Sequence, residues 1–330
     1  MISLQNGSKV NKYNMIEFKE IELSDKEWVD QLLSYSDYRA TEFNFSVLYI
    51  WRGVYYTRIG RFKDFLIVRF SPQRSSDEKN VIYLFPAGKG DYKEVIDAML
   101  ADANKMQTKF TLTSVLQEQK EILESIYPGK FSYLPNRNSY DYVYMAENLI
   151  TLKGKKYQSK RNFVSRFKGN PNWCYEPITP QNTAECLKMN KEWCKLYGCL
   201  QDKSKQQESC SVRCALNNFE VLGLKGGILR VNNEIVAFTI GEKMNSDTFL
   251  VHIEKALTHI TGAYPAISQL FLQHQMKVPY TPGKELTSDD IGFVYVNRED
   301  DTGDENLRKA KMQYHPAFLI EKYIVAVLEN

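Results

Sequence analysis

The chain of 330 residues reads as two mixed α/β units, each a central sheet with helices on both faces. Three observations predict this. The length exceeds what one ordinary core accommodates, and units of about 150 residues are the natural division. Apolar runs of strand length alternate with stretches of helical period in both halves. Hydrophobic residues make up 43% and charged residues 25%, a balance that excludes both a disordered and a membrane-embedded chain. The expected units are residues 1–150 and 151–330.

In the first unit, Ser24-Asp-Lys-Glu27 has the form of a capping box, followed by Trp28, Leu32, Leu33 and Tyr35 as one buried stripe. Thr41 to Tyr56 is dense in aromatics and reads as buried. Phe65–Phe70 and Val81–Phe85 read as strands, and Pro86, Gly88 and Gly90 make the turn into a helix from Asp91. Strand 110–115, helix 118–126 and strand 140–144 complete the unit. In the second, strand 172–176 and helix 182–197 precede a hairpin, 227–231 and 234–241, turned at Asn232-Asn233. Strand 247–254, a turn at Gly262, helix 263–276, strand 291–296, a helix from Asp304 and a strand within 318–327 follow.

A net charge of +3 is too small to predict a nucleic-acid partner by itself. No run approaches the length of a membrane span, and the start lacks the basic and apolar regions of a signal peptide. The six cysteines read as reduced thiols of a cytoplasmic protein. Their spacing contains no Cys-x-x-Cys pair and the acidic run has no calcium-loop glycine, so no metal is expected. There is no P-loop, no dinucleotide fingerprint and no Gly-x-Ser-x-Gly elbow.

Four constellations carry chemistry. Between Asn297 and Lys311, five carboxylates (Glu299, Asp300, Asp301, Asp304, Glu305) stand beside four cations (Arg298, Arg308, Lys309, Lys311). Such density shifts pKa values and binds polar or anionic groups, or else forms a network of internal ion pairs. Lys153 to Lys168 holds seven cations, among them Lys155, Lys156, Lys160 and Arg161, and no carboxylate. It is either a dock for phosphates or a solvated helix between units. In His252-Ile-Glu254-Lys255, strand alternation places His252 and Glu254 on one face, about 7 Å apart, as a base with its orienter or as a local network. The Thr261-Gly-Ala-Tyr264 turn opens a helix whose amides could cradle an anion.

Taken together, Lys155–Asn162, His252-Ile-Glu-Lys-Ala256 with Thr261–Tyr264, and Asn297-Arg-Glu-Asp-Asp-x-Gly303 with Leu307–Lys311 and Tyr314-x-Pro316 resemble one family. It is the family related to the C-terminal domain of phosphatidylglycerol lysyltransferase. The resemblance implies two tandem GNAT-like acyl-CoA N-acyltransferase domains, an arrangement shared with the Fem aminoacyltransferases. It implies an aminoacyl group taken from charged tRNA and passed to a hydroxyl or amine acceptor, on a lipid or a peptide.

Carried over, the resemblance gives His252, Glu254, Asp300 and Asp301 as catalytic candidates. It gives Lys255, Tyr264, Asn297, Arg298, Glu299, Arg308, Lys311 and Tyr314 as substrate-binding ones. Lys155, Lys156, Lys160 and Arg161 would meet tRNA or headgroup phosphates. The GNAT pyrophosphate loop is absent, its nearest approach being His259-Ile-Thr-Gly262-Ala-Tyr264. Aminoacyl-tRNA is therefore the expected donor, with acetyl-CoA the alternative. A third reading is a non-catalytic module of the same fold, in which Arg308 and the carboxylates pair with one another.

Overall fold

The computed structural model describes residues 16–71 and 81–328. Among the described residues, fifteen strands form two mixed sheets. The first holds β1 (Phe18–Glu20), β2 (Arg58–Phe62), β3 (Phe65–Phe70), β4 (Ile82–Leu84), β5 (Ala87–Gly88), β6 (Thr111–Val115) and β7 (Phe131–Pro135). The second holds β8 (Asp141–Met145), β9 (Trp173–Pro177), β10 (Lys225–Val231), β11 (Glu234–Lys243), β12 (Thr248–Ala256), β13 (Tyr295–Asn297) and β14 (Phe318–Ile320). The last strand, β15 (Tyr323–Val327), returns to the first sheet between β6 and β7. The order is β1-β2-β3-β4-β6-β15-β7, with β5 beside β3, and β14-β8-β13-β12-β11-β10-β9.

The architecture is that of two helix-flanked mixed sheets, with one parallel pair in each: β4 with β6 and β12 with β13. The sheets do not divide at residue 150. β8 precedes that point yet belongs to the second sheet, and β15 crosses back to the first. The run expected as one strand over 318–327 is therefore two strands in different sheets. Glu321 and Lys322 make the crossing, and Lys322 is fully buried where it does so.

Local chemistry explains most elements. Asp91 accepts from the Lys93 and Glu94 amides, and Asp304 from those of Asn306 and Leu307, each opening its helix. Asn232 and Asn233 both take positive φ, as a tight hairpin requires. The first helix differs from expectation: Ser24 lies in a 3-10 turn, and Asp25 instead accepts from the Glu22 amide and the Trp28 indole. The helix then spans Lys26–Ser36. Ile291 closes a short helix, Ser288–Ile291, so β13 starts later than its apolar run suggested. The aromatic stretch folds as two helices, Phe45–Ile50 and Arg52–Tyr55.

One apolar cluster joins the units. Phe45, Leu48 and Tyr49 pack with Val212, Leu216, Phe238 and Ile253. The helices 26–55 thereby cover one face of the second sheet. The other face is covered by the helix Ala263–His274, through Ala266, Ile267, Phe271 and Leu272.

Candidate active site

The site begins where two parallel strands part. β12 and β13 pair at Thr248–Tyr295, Phe249–Val296 and Leu250–Asn297, and pairing stops there although β12 runs on to Ala256. The chain after Asn297 stays with β8 instead: the Arg298 amide donates to the Tyr142 carbonyl, and the Tyr142 amide to that of Glu299. A slot opens between β12 and residues 298–300, and side chains bridge it.

A bulge decides which side chains those are. Along β11, Ile240 pairs with Ile253 but Gly241 pairs with Val251, which makes His252 the extra residue. The alternation of β12 therefore inverts. Phe249 and Val251 pack with Tyr144, Phe271 and Val296, whereas Ile253 packs with Ile240, Phe238 and Phe45. His252 and Glu254 consequently do not share a face, contrary to the simple alternation.

His252 turns toward the helices 26–55. Its Nε2 lies 2.9 Å from Glu242 Oε1 and its Nδ1 3.2 Å from Glu299 Oε1. Burial alone would lower its pKa, but the two carboxylates outweigh burial and raise it to about 9. At neutral pH it is an imidazolium held between two carboxylates, not a free base.

Glu254 turns to the opposite face, where it accepts from Arg298 Nη2 at 2.8 Å. The Arg298 guanidinium lies 4.8 Å from the centre of the Tyr314 ring and 5.7 Å from that of Tyr144. Lys160 stands 4.2 Å from the same Tyr314 ring. One face of the slot is thus acidic around an imidazolium, and the other is cationic around aromatic rings.

The two aspartates of the charged segment have opposite environments. Asp301 is fully buried, and its oxygens are engaged by Arg308 Nε and Nη2 (2.9 Å each), Arg137 (3.2 Å), the Tyr142 hydroxyl (2.5 Å) and the Gly303 amide (3.0 Å). Burial opposes its ionisation, but these donors prevail and hold it well below the usual carboxylate range. Asp301 cannot serve as a proton acceptor, and Arg308, bidentate on it and bonded to Asn138, does not face an outside anion. This corrects both assignments: the pair closes the loop rather than meeting substrate.

Asp300 accepts from the Thr302 amide at 3.0 Å. Burial pushes its carboxyl up to about 7, with Asp141 and Glu42 as nearby like charges and Lys322 and Lys311 opposing them. Lys311 is also turned inward. Its ammonium bonds the carbonyls of Arg298 (2.6 Å), Glu299 (3.3 Å) and Asp300, and burial lowers its pKa to about 8. It shapes the segment instead of reaching out to an anionic acceptor.

Other expected residues are likewise structural. Asn297 is fully buried, donating to the Arg39 carbonyl (2.8 Å) and Asp141 (3.1 Å) and accepting from the Glu299 amide (2.7 Å). Lys255 pairs with Glu208 at 2.7 Å and sits 3.6 Å over the Trp193 ring, away from the Arg298 side. Arg161 bonds the carbonyls of Leu152 and Gly154, closing its own turn. Tyr264 lies at the start of the helix Ala263–His274, and burial raises its phenol to about 12. That helix start makes a poor anion cradle: Ala263 donates to Ile260, position 265 is proline, and Ala266 donates to Gly262. Lys155 and Lys156 are exposed in the 3-10 turn that leads into the basic helix Gln158–Lys168, beside a surface groove with Asn162, Phe163 and Arg166.

Sequence reasoning missed a buried centre behind the slot. Lys322 bonds Glu42 and Asp141 at 2.7 Å each. Glu42 also accepts from Ser114 (2.7 Å), and Asp141 from the Thr41 amide (2.8 Å). These residues are up to 280 positions apart, so no local pattern could reveal them. Glu242 was missed for a similar reason: it meets His252 only through the bulge. Among the described residues, no group of three His, Cys, Asp or Glu side chains converges as a metal site, and no helix is long and apolar enough to cross a membrane.

Comparison with known proteins places this geometry. The family described as "Phosphatidylglycerol lysyltransferase, C-terminal" matches residues 34–326. A conserved protein of unknown function from Bacteroides thetaiotaomicron is 39% identical, with a TM-score of 0.85 covering 95% of this chain and 100% of that one. L-PGS from Bacillus licheniformis is 14% identical, with a TM-score of 0.60 over 93% of each chain. FemX is 9% identical, with a TM-score of 0.55 over 94% of this chain and 97% of its own. The last two likenesses concern the fold alone. An uncharacterised protein of Mycoplasmoides gallisepticum is 21% identical over 257 residues, 74% of this chain and 73% of its own. Family and fold point to an acyltransferase, and the chain belongs to the family of the phosphatidylglycerol lysyltransferase C-terminal domain.

Proposed function

We propose that the chain transfers an aminoacyl group from an activated ester, the 3′ ester of a charged tRNA, to a hydroxyl or amine acceptor. The observation that carries this reading is Asp300. It is a carboxyl with a pKa of about 7 at the end of a slot between parting parallel strands, beside the acidic face formed by Glu42, Glu242 and Glu299. A base poised near neutral pH suits deprotonation of the acceptor. The acidic face suits the ammonium of an aminoacyl group.

In the transfer, the acceptor oxygen or nitrogen forms a bond to the ester carbonyl. Its proton passes to Asp300, the ester bond to the carrier breaks, and the carrier oxygen leaves with a proton. No covalent enzyme intermediate is required; positioning and charge stabilisation suffice. The exposed cations Lys155, Lys156 and Arg166 suit the docking of an RNA backbone on the basic helix.

The depleted helix start at Gly262 to Ala266 favours this donor over acetyl-CoA, whose pyrophosphate needs free amides. Incubation of the purified protein with labelled aminoacyl-tRNA and cell extract tests the reading. Label should move to an acceptor fraction with the wild type and not with Asp300→Asn. Label that stays on tRNA in every fraction refutes it.

A further inference from the structure

The helix Thr183–Leu196 ends in a tight reversal that lays one cysteine beside another. Gly198 takes the left-handed conformation (φ 71°) directly after the cap residue Tyr197, whose amide donates to the Trp193 carbonyl at 3.0 Å. A left-handed glycine in that place turns the chain back over the last turn of its helix, so the residue after it meets the last turn. Here those partners are Cys199, which opens the 3-10 turn Cys199–Gln201, and Cys194 in the helix. Their thiols are neighbours: after burial, a hydrogen bond with the Cys194 thiol and then its charge push the Cys199 thiol up to about 12. Both cysteines are free; Cys199 is buried, whereas Cys194 is only half-buried. The reversal is also tied to the second sheet. The Tyr197 hydroxyl, between the two cysteines in sequence, shares a hydrogen bond with that of Thr258 (2.6 Å) and accepts from the Thr258 amide (2.9 Å), just past the end of β12. Lys255, whose charge reaches Cys199, lies 3.6 Å over the Trp193 ring.

We propose that Cys194 and Cys199 form a reversible dithiol–disulfide site, oxidised by a low-molecular-weight disulfide of the glutathione class. Exposure sets the order of events. The Cys194 thiolate attacks one sulfur of the small disulfide, whose S–S bond breaks and releases one thiolate. Cys199 then attacks the Cys194 sulfur, the protein S–S bond forms, and the second small thiolate leaves. The two departing thiolates take up the two protons given by the cysteines, and two electrons pass from the protein to the small disulfide. Because the turn already brings the two positions together, the linkage joins neighbours and does not require the helix to unwind. The linked turn carries Tyr197 and its contacts with Thr258, so the oxidised form ties the helix end to the end of β12. The site lies outside the slot and does not depend on the transfer reading.

Peptide mapping without reduction tests the assignment. The folded full chain is incubated with excess oxidised glutathione at about pH 8, quenched in acid, alkylated and digested with trypsin. Cleavage at Lys195 separates the two cysteines into peptides 192–195 and 196–203, so their linkage is read directly by mass. At least about half of the molecules should carry these two peptides joined, with the loss of two hydrogens, and dithiothreitol should restore both thiols. Cys174 and Cys210, both exposed, serve as internal references and should take up glutathione singly. Cys199→Ser should retain glutathione on Cys194, and Cys194→Ser should leave Cys199 unmodified. The wild-type map decides the assignment even if the buried Cys199→Ser substitution prevents folding. The assignment fails if both thiols survive in the wild type while Cys174 and Cys210 react, if Cys194 stops at its glutathione adduct, or if either cysteine links to a different one.

Discussion

His252 and Glu254, two positions apart on one strand, project to opposite faces of the second sheet, because His252 is the extra residue of a bulge. The slot beside β12 is polarised as a result. The imidazolium and its carboxylates lie on the side of the helices 26–55, and the arginine with its tyrosines lies on the other.

The imidazolium contributes to stability with a definite sign. Its folded pKa of about 9 lies above the ordinary imidazole value of 6.5, so the contribution is complete below pH 6.5 and lost as pH rises through 9. His252→Gln should therefore lower Tm most at pH 6, with the gap to wild type closing by pH 9.5. A gap independent of pH between these limits would show that His252 is neutral in the folded protein.

Asp300 has the opposite linkage from a salt-bridged aspartate. Its pKa is raised from 3.8 to about 7, so its ionised form costs stability above pH 7. Asp300→Asn should keep or raise Tm at pH 8 while lowering transfer by about 100-fold or more. The wild-type rate should fall as pH drops through 7. A destabilised Asp300→Asn protein with normal turnover would remove Asp300 from the chemistry.

Asp301→Ala should do the reverse, leaving Arg308 and Arg137 without their shared carboxylate. A loss of about 3 kcal/mol in unfolding free energy is expected, read by denaturant titration. Activity measured on the fraction still folded should be reduced far less than in Asp300→Asn.

Lys322→Met strands Glu42 and Asp141 as buried carboxylates and should cost about 3–5 kcal/mol. Adding Asp141→Asn should recover part of that loss, and strict additivity of the two substitutions in a double-mutant cycle would contradict the shared network.

Much of the local structure was legible. Asp91 and Asp304 opened their helices as acidic caps do, and the Asn232-Asn233 turn formed the expected hairpin, because these signals act over three or four residues. The charged segment was likewise conspicuous, but the sequence left open whether its charges meet a substrate or one another. Arg308 and Asp301 are seven positions apart and bond one another, while Asp300, one position earlier, misses that pairing and lies half-buried, near the carboxylates of Asp141 and Glu42 and the ammonium groups of Lys322 and Lys311.

Periodicity, caps and motif order, as properties of the chain alone, were enough for two mixed α/β units and the family. The tertiary structure decided which residues face the slot. A single bulged residue inverted the side-chain alternation of β12, and β8 and β15 crossed between sheets to bring Asp141 and Lys322 to Glu42. Strand alternation is a local rule, and one extra residue reverses it; buried ion pairs form wherever chain crossings bring opposite charges together, at any separation along the sequence.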